Sequence, residues 1–471
     1  MLVLVLEAST SAAKAMLYDS EQGILAVESE NYTADMDENG RQDTEQVYLA
    51  TVRAGRKVAA GRDIAAVAVG GVWHSIAICD TAMRPVTRTH AWTFTGASTI
   101  CRDVRKNKQL AKEIYNRTGC MPNVTYQPYT LKYLAENGLD LGGKLLSSQA
   151  GYNFFRMTGE RLETHSIVSG MGLLNTHKKE YDDLILAFAG INENQLAPLA
   201  TYHDTRPLSA QCAEQLGIKS GIPVVPPHPD GALNQVGNGA VRPGIMTFSV
   251  GTSAAIRLSS NSPVLSDPAA TWCYVGADGW MNGAATAGAC NCVNWFKETV
   301  LKNKWSFREL EETLLDDSET PVFIPFLFGE RCPGWQDDRL GGFERLTGSV
   351  TVPQMFQAIC EGVLFNVLQC YDILTGLAGA PERVIMSGGI INSPKWAQLA
   401  ADIFDREIFI SSTAQASLLG GAVLAIHAAG ALDNLCDFSD DSANVLRPRN
   451  DLREKYRYKY QNYLECYNKQ K

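Results

Sequence analysis

A short sequence occurs twice in the chain, and this repeat limits the available folds more than any other feature. Thr10-Ser11-Ala12-Ala13 and Thr252-Ser253-Ala254-Ala255 share the same four residues and lie 242 positions apart in a chain of 471. Each copy stands between two short apolar runs. Two apolar runs joined by a small polar turn predict a β-hairpin, so we expect one such hairpin in each half.

Each half also contains a second matching feature, in the same order. The continuous apolar segment 65–69 is followed by Gly70-Gly71, and the segment 384–386 is followed by Ser387-Gly388-Gly389. Apolar runs without alternation, followed by glycine pairs and helical stretches, are typical of strands buried on both faces of a mixed sheet. One four-residue match can arise by chance, but two features in the same order favour a duplicated α/β domain.

Breaks near the middle of the chain separate the two halves. Prolines cluster at 224–229, and a second break lies at 242–244. We therefore predict domains at 1–238 and 239–471, with a cleft between them. The predicted helices cover 44–56, 353–375, 394–404, 416–432 and 451–471. We expect Ser393 to cap the third helix, the fourth to be buried, and the charged, Tyr-rich fifth to lie on the surface.

Charge and hydropathy exclude several classes of partner. The net charge is −9 and the isoelectric point is near 5.4, so the chain lacks the basic character of proteins that bind nucleic acid or anionic membranes. The apolar start reaches Glu7 without a basic segment, and the longest uncharged runs, 64–79 and 416–432, are shorter than the ~18 residues of a membrane span. We expect no nucleic-acid partner, no membrane partner and a cytoplasmic location. Twelve cysteines without C-x-x-C spacing are expected to be buried thiols in a reducing compartment.

The common nucleotide and hydrolase motifs are missing. The chain has no G-x-x-x-x-G-K-[ST], no G-x-G-x-x-G, no H-E-x-x-H and no G-x-S-x-G. A hairpin with small hydroxylated residues at its turn is another phosphate-binding device, because its N–H groups and hydroxyls can wrap an anion. One copy would be interpreted as an ordinary turn. The paired copies favour a site that holds a nucleotide tail from both sides of a cleft.

Six segments in order resemble the FGGY carbohydrate kinases, a family with the actin-like ATPase fold. They lie within 6–19, 70–76, 230–232, 249–253, 329–348 and 387–402. Trp73-His74-Ser75 and the segment 169–175 look most similar to the gluconokinase branch. The resemblance implies two duplicated actin-like, ribonuclease H-like domains of α/β class. It also implies ATP and Mg²⁺ as cofactors and phosphoryl transfer to a sugar, sugar acid or polyol, with gluconate the favoured acceptor.

The same resemblance implies roles for individual residues. Asp230 is expected to be the general base, because a sugar hydroxyl must lose its proton as the phosphoryl group moves. Glu7 and Asp230 are expected to hold Mg²⁺, and Trp73 and His74 to bind the sugar together with Asp230. The expected phosphate-binding residues are Thr10, Ser11, Lys14, Gly251, Thr252 and Ser253. The expected adenosine-binding residues are Gly388, Gly389, Asn392 and Ser393.

Three features depart from the family pattern. Glu7 stands where the family has Asp, so the carboxylate that helps to hold Mg²⁺ is one methylene longer. Ser9 replaces a turn glycine, and Phe94 and Gly96 replace the Asp and Arg of Trp-x-Asp-x-Arg. The last change removes a polar pair expected beside the substrate, and therefore concerns the identity of the sugar more than the reaction.

Two alternatives stay open at this point. One is a pentulose kinase that resembles the xylulokinases, since the same ATP half would serve it equally. The other is a sugar-binding or regulatory homologue with impaired catalysis. The intact segment 251–253 and Asp230 argue against the second. The resemblance is also compatible with a homodimer.

Overall fold

The computed structural model describes residues 1–33, 36–37, 39–314, 319–412, 414–439 and 444–469. Two large mixed sheets form its framework, one in each half of the chain. The strands of the first half are β1 (Leu2–Ala8), β2 (Ala12–Asp19), β3 (Gly23–Asn31), β4 (Ile64–Gly71), β5 (Ser75–Cys79), β6 (His90–Ala91), β7 (Leu145–Ser147), β8 (Glu163–Thr164), β9 (Leu174–Asn175), β10 (Glu180–Tyr181), β11 (Leu199–Ala200), β12 (Arg206–Pro207) and β13 (Pro223–Pro229). Its helices are α1 (Thr44–Ala59), α2 (Ser98–Lys106), α3 (Lys108–Thr118), α4 (Gln127–Glu136), α5 (Gln149–Thr158), α6 (His165–Met171), α7 (Asp183–Ala189), α8 (Ala210–Leu216) and α9 (Asp230–Gly237).

The second half begins with the second hairpin. Its strands are β14 (Ile245–Val250), β15 (Ala254–Ser260), β16 (Trp272–Val275), β17 (Trp280–Thr286), β18 (Val322–Ile324), β19 (Gly342–Glu344), β20 (Arg383–Ser387), β21 (Ile408–Ile410) and β22 (Val445–Leu446). Its helices are α10 (Cys290–Trp295), α11 (Phe307–Glu312), α12 (Val352–Ala378), α13 (Pro394–Phe404), α14 (Ala416–Ala428) and α15 (Arg453–Lys469).

Six strands of each large sheet follow the same topology, and the second sheet has β16 as an additional edge strand. The first has the order β12-β13-β4-β1-β2-β3, in which β1 pairs with β2 antiparallel and with β4 parallel. The second has the order β16-β17-β15-β14-β20-β21-β22, in which β14 pairs with β15 antiparallel and with β20 parallel. The hairpins β1–β2 and β14–β15 therefore occupy equivalent places, and the duplication predicted from the repeat is confirmed.

The central strand β1 is buried on both faces, which explains its unbroken apolar sequence. Leu6 packs towards α1, where a Cβ on Gly55 would lie 2.7 Å from a Leu6 methyl group. Val5 packs on the opposite face towards α14, where a Cβ on Gly421 would lie 2.5 Å from a Val5 methyl group. Helix α14 comes from the second half of the chain but covers the sheet of the first. One hydrophobic core is therefore built from residues of both halves.

The long helices form close to where the sequence predicts them. Those predicted over 44–56, 353–375 and 394–404 correspond to α1, α12 and α13, and α14 is buried as expected. Ser393 occupies the N-cap position of α13, but its hydroxyl donates to Glu311 Oε1 (2.9 Å) and makes no capping bond. The predicted side-chain cap is therefore wrong.

The C-terminal helix lies on the surface as predicted, with Tyr458 67% exposed, but one of its faces is buried. Helix α15 buries Tyr463 and Tyr467 completely, and their rings stack at 6.2 Å. The buried Lys459 Nζ donates to Glu361 Oε1 (2.8 Å) on α12. Tyr spaced four residues apart lie on one helix face, and that face is apolar enough to join the core despite the charged residues around it. Residues 470 and 471 of the predicted helix lie outside the described residues.

Helix α12 is long and apolar enough to cross a membrane by length and composition, but 78% of its most apolar window is buried inside the protein. Among the described helices it is the only one that meets these criteria, and it is a core helix. The cysteines behave largely as expected. All twelve are free and ten are buried, whereas Cys290 is half-buried and Cys436 is exposed.

Candidate active site

A cavity of about 210 Å³ lies where the two hairpins meet. Thr10 at the turn of β1–β2 and Ser253 at the turn of β14–β15 both line it, so the paired turns share one site. Its aromatic and ionisable lining comes from both halves of the chain. These residues are Trp73, His74, Trp92, Asp230, Arg257, Trp272, Tyr274 and Arg331.

Asp230 lies at the point where β13 passes into α9. Its carboxylate Oδ1 accepts the N–H of Gly231 at 2.7 Å. Burial and the nearby Glu7 raise the pKa of Asp230 to about 6, against the opposing effects of Arg257, the Gly231 N–H and Lys14. A carboxylate with a pKa near the working pH is suited to accept a proton from an alcohol.

Glu7 lies near the end of β1, opposite Lys14 of β2, and is almost fully buried. Ser9 Oγ donates to Glu7 Oε1 at 2.8 Å, so two of the departures from the family pattern contact each other. The second oxygen, Oε2, is buried and has no hydrogen-bond partner among the described residues. A buried carboxylate oxygen without a partner is unusual, and it provides an oxygen ligand of the kind that Mg²⁺ prefers.

Trp73 is fixed at the cavity wall by its contacts with two glycines. A Cβ on Gly170 would lie 2.0 Å from the indole ring, and a Cβ on Gly231 would lie 2.3 Å from it. The indole N–H donates to the Ser166 carbonyl at 2.8 Å. The ring is therefore held close to Asp230 by a pair of positions that only glycine fits.

His74 is a neutral hydrogen-bond acceptor at the cavity wall. Its Nδ1 lies 2.6 Å from the Gly170 carbonyl, which can only accept, so Nδ1 carries the proton. Burial and the charge of Arg331 lower the pKa of His74 to about 3. The other nitrogen, Nε2, therefore has a free lone pair that can accept a hydrogen bond from a sugar hydroxyl.

Each of the two turns exposes a small hydroxylated side chain. Thr252 is exposed at the tip of its turn, and Ser11 is exposed on the other hairpin. The N–H of Gly251 donates to the Ser253 carbonyl at 2.9 Å, which closes the second turn. Thr10 Oγ1 accepts the indole N–H of Trp92 at 3.0 Å, which fixes the hydroxyl of the first turn.

The predicted adenosine segment lies next to the second hairpin. Gly388 has φ +90°, and a Cβ there would lie 2.5 Å from the Val250 carbonyl, so the site requires glycine. Gly389 and Asn392 are exposed at the two ends of the short turn that follows. The Ser393 hydroxyl is directed to Glu311 instead, so an adenosine contact of this side chain stays a prediction.

Comparison with known families identifies the reaction class. Residues 2–237 match the N-terminal domain of the FGGY family of carbohydrate kinases, and residues 246–429 match the C-terminal domain of the same family. The chain belongs to the FGGY family of carbohydrate kinases. It is therefore an enzyme that transfers a phosphoryl group from ATP to a carbohydrate. The domain limits at 238 and 239 stay a prediction.

Individual relatives of this kinase carry different names. It is 24% identical to a gluconokinase of Bacillus subtilis over 97% of its own length and 93% of the relative. It is 26% identical to a xylulose kinase of Lactococcus lactis over 92% of its own length and 89% of the relative. It is similar to the crystal structure of gluconate kinase from Lactobacillus acidophilus, with a TM-score of 0.92, 25% identity and coverage of 99% and 98% of the two chains. The predicted two-domain kinase fold is confirmed.

The third departure from the family pattern has a packing explanation. Phe94 is buried and meets the ring of His90 edge to face, with ring centroids 4.8 Å apart. A Cβ on Gly96 would lie 2.4 Å from the Phe94 ring, so the small residue makes room for the large one. In this kinase an apolar contact replaces the family's polar pair.

Four residues that line the cavity received no role from sequence reasoning: Arg257, Trp272, Tyr274 and Arg331. Trp272 and Tyr274 stack at 4.2 Å, and Tyr274 meets Trp73 at 4.8 Å. The sequence signal that could have identified such residues is that every second side chain of a β-strand lies on the same face. Arg257 lies two and four residues after Ala255 and Ser253, and all three face the cavity.

Proposed function

We propose that this kinase phosphorylates gluconate or a closely related sugar acid. The observation that carries the proposal is the charge of the acceptor cavity. Arg257 and Arg331 both line it, and the Nε atom of each is buried without a hydrogen-bond partner among the described residues. Asp230 compensates part of the Arg257 charge, but a neutral sugar would leave the half-buried guanidinium of Arg331 without an anion to stabilise it. The similarity to gluconokinases supports the same acceptor.

In the proposed reaction the two hairpins hold the phosphates of ATP and the cavity holds the acceptor. The Thr10 and Ser253 turns would position the γ-phosphoryl group at the cavity. Asp230 would accept the proton of the attacking hydroxyl as the oxygen–phosphorus bond forms and the bond to ADP breaks. Transfer needs the acceptor oxygen roughly 3–3.5 Å from phosphorus, which both halves of the site must enforce together.

Glu7 and Asp230 are the residues that would hold Mg²⁺. Glu7 Oε2 has no hydrogen-bond partner among the described residues, and the charge of Glu7 acts on the carboxylate of Asp230. Two neighbouring carboxylates fit a cation that prefers oxygen ligands. When bound, Mg²⁺ neutralises the charge that builds up on the phosphates. A cytoplasmic location belongs to the same proposal.

A xylulokinase-like activity is the second candidate, because the kinase is 26% identical to a xylulose kinase and its ATP side would serve either acceptor. The impaired homologue is less well supported. The raised pKa of Asp230 and the complete second turn are features of a working transferase.

The deciding experiment measures ADP release with gluconate, xylulose, glucitol and glycerol. We expect kcat/KM for gluconate to exceed that for each neutral acceptor by at least about tenfold, as expected for one compensated buried charge. A higher value with xylulose would favour the second candidate. ADP release with none of a wider panel of aldonates, ketoses and polyols would favour the impaired homologue.

Changing Glu7 to Asp should preserve or improve turnover at limiting Mg²⁺. The substitution returns the carboxylate to the reach that the family uses, and Mg²⁺ tolerates little distortion of its octahedron. Turnover is measured against Mg²⁺ concentration for Glu7→Asp, for Glu7→Asp with Ser9→Gly, and for Glu7→Ala as the control that removes the ligand. If the Mg²⁺ dependence is the same in all of them, Glu7 is not part of the metal site.

Activity should depend on pH through Asp230. The base works only when deprotonated, so kcat/KM for the acceptor should fall about tenfold per unit below its pKa and reach a plateau above it. Burial and Glu7 raise the Asp230 pKa to about 6, and bound Mg²⁺ would lower it, so we expect the acid limb at or below pH 6. Glu7→Gln removes a negative charge that raises this pKa, so the limb should move to lower pH at saturating Mg²⁺. A limb that stays in place would show that Glu7 does not act on the base.

A further inference from the structure

The two guanidinium groups of the acceptor cavity have different neighbours. Arg257 lies beside the base: its Nε is 3.3 Å from the position that a Cβ on Gly231 would occupy, and its charge lowers the pKa of Asp230. Its Nη1 donates to Ser249 Oγ at 3.2 Å. Arg257 is therefore already compensated in part by the carboxylate of Asp230.

Arg331 has different surroundings. Its charge acts on His74, Tyr274 and also Arg257, which line the cavity with it. The adjacent carboxylate of Glu330 is engaged elsewhere, because it accepts from Arg339 Nη1 at 2.8 Å and from the Tyr467 hydroxyl at 2.7 Å. Within the described part of the chain, no carboxylate pairs with the Arg331 side chain.

We propose that Arg331 binds the carboxylate of the acceptor and that His74 accepts a hydrogen bond from the hydroxyl next to that carboxylate. The inference rests on the proposed function. A planar guanidinium matches a carboxylate with two parallel hydrogen bonds. The lone pair on His74 Nε2 repels a carboxylate but suits a hydroxyl. Together the two side chains recognise the α-hydroxy acid end of an aldonate.

The same charges exclude the reverse assignment. A substrate carboxylate on Arg257 would lie close to Asp230 and Glu7, and like charges at short range repel strongly where water is scarce. Asp230 interacts with the charge of Arg257, whereas the charge of Arg331 acts on Arg257, His74 and Tyr274, so we assign the carboxylate to Arg331. Arg257 then stays with Asp230 as a positioning residue.

The test compares D-gluconate with D-glucitol, which carries CH₂OH in place of the carboxylate. Dissociation constants are measured by tryptophan fluorescence, since Trp73, Trp92 and Trp272 line the cavity. We expect Arg331→Met to weaken gluconate binding by about 10²-fold and to change glucitol binding by less than about threefold. Arg331→Lys should recover part of the loss. Arg257→Met should change both ligands by similar factors and mainly lower kcat.

The outcomes separate this inference from the proposed function. Wild-type protein that binds glucitol as well as gluconate would overturn the proposed acceptor. A wild-type preference for gluconate that survives Arg331→Met, or that is lost in Arg257→Met instead, would overturn the assignment to Arg331 alone. Retained glucitol binding shows that a variant is folded. If Arg331→Met does not fold, the ratio of the two dissociation constants in Arg331→Lys decides, and an unchanged ratio counts against the assignment.

Discussion

Replacing Asp230 with alanine is expected to lower kcat by about two to four orders of magnitude, the usual contribution of a positioned general base. Affinity for ATP in the absence of Mg²⁺ should change little, because in the proposed site the phosphates bind to the two hairpin turns. Steady-state kinetics with saturating acceptor give kcat, and titration with a non-hydrolysable ATP analogue gives the affinity. The loss should also remove the acid limb of the pH profile, since the carboxylate proposed to titrate there is gone.

Asp63→Ala is the matched control for this substitution. The Asp63 side chain is 81% exposed and pairs with the exposed Lys219, so its removal should leave kcat within a few-fold of wild type. Activity of Asp230→Ala within a few-fold of the control would move the base to another residue. Equal losses of kcat and of ATP affinity would instead indicate a disturbed fold at the start of α9.

The fold was predictable because the information lies in short local signals. Thr10-Ser11 and Thr252-Ser253 are turn residues between apolar runs, and a turn between strands can form only a few structures. The buried strands at 64–71 and 383–387 carry no alternation, which indicates burial on both faces. Local chemistry and overall architecture agree at these positions, so the repeat indicates a duplicated α/β domain, and the family resemblance added the actin-like fold.

The errors concern contacts between residues distant in sequence. The Ser393 hydroxyl could cap its own helix, but Glu311 is 82 residues away and provides a charged acceptor. The tyrosines of α15 look solvent-exposed among Lys and Glu until α12 is placed beside them. Arg257 and Tyr274 belong to the acceptor cavity only because β15 and β16 lie in the same sheet.

The contact that joins the two halves is also made by residues that are distant in sequence. Helices α9 and α14 cross with their backbones touching: a Cβ on Gly420 would lie 1.9 Å from the Leu233 carbonyl, and one on Gly237 would lie 2.0 Å from the Ala416 carbonyl. Glycine normally weakens a helix interior by ~0.5–1 kcal/mol relative to alanine. At this crossing the close approach of two helices outweighs that cost.

Gly420→Ala should therefore destabilise the kinase by about 1–3 kcal/mol, the usual cost of overpacking against atoms that cannot move. The matched control is Gly376→Ala in α12, where nothing lies within 4 Å of the added Cβ and a gain of up to ~1 kcal/mol is expected. Urea unfolding of both variants measures the difference. If Gly420→Ala lowers the free energy of unfolding and Gly376→Ala raises it, the loss is due to the close contact between α9 and α14.

A loss of activity should accompany the loss of stability, because α9 begins at Asp230, the proposed base. Pushing Leu233 away from α14 shifts the helix whose first residue is Asp230, and a displacement of ~1 Å at a reacting group can cost about 10²-fold in rate. We expect kcat of Gly420→Ala to fall by at least several-fold under conditions where the protein remains folded, while Gly376→Ala keeps wild-type kcat. A destabilised Gly420→Ala enzyme with unchanged kcat would show that α14 supports the fold without positioning Asp230.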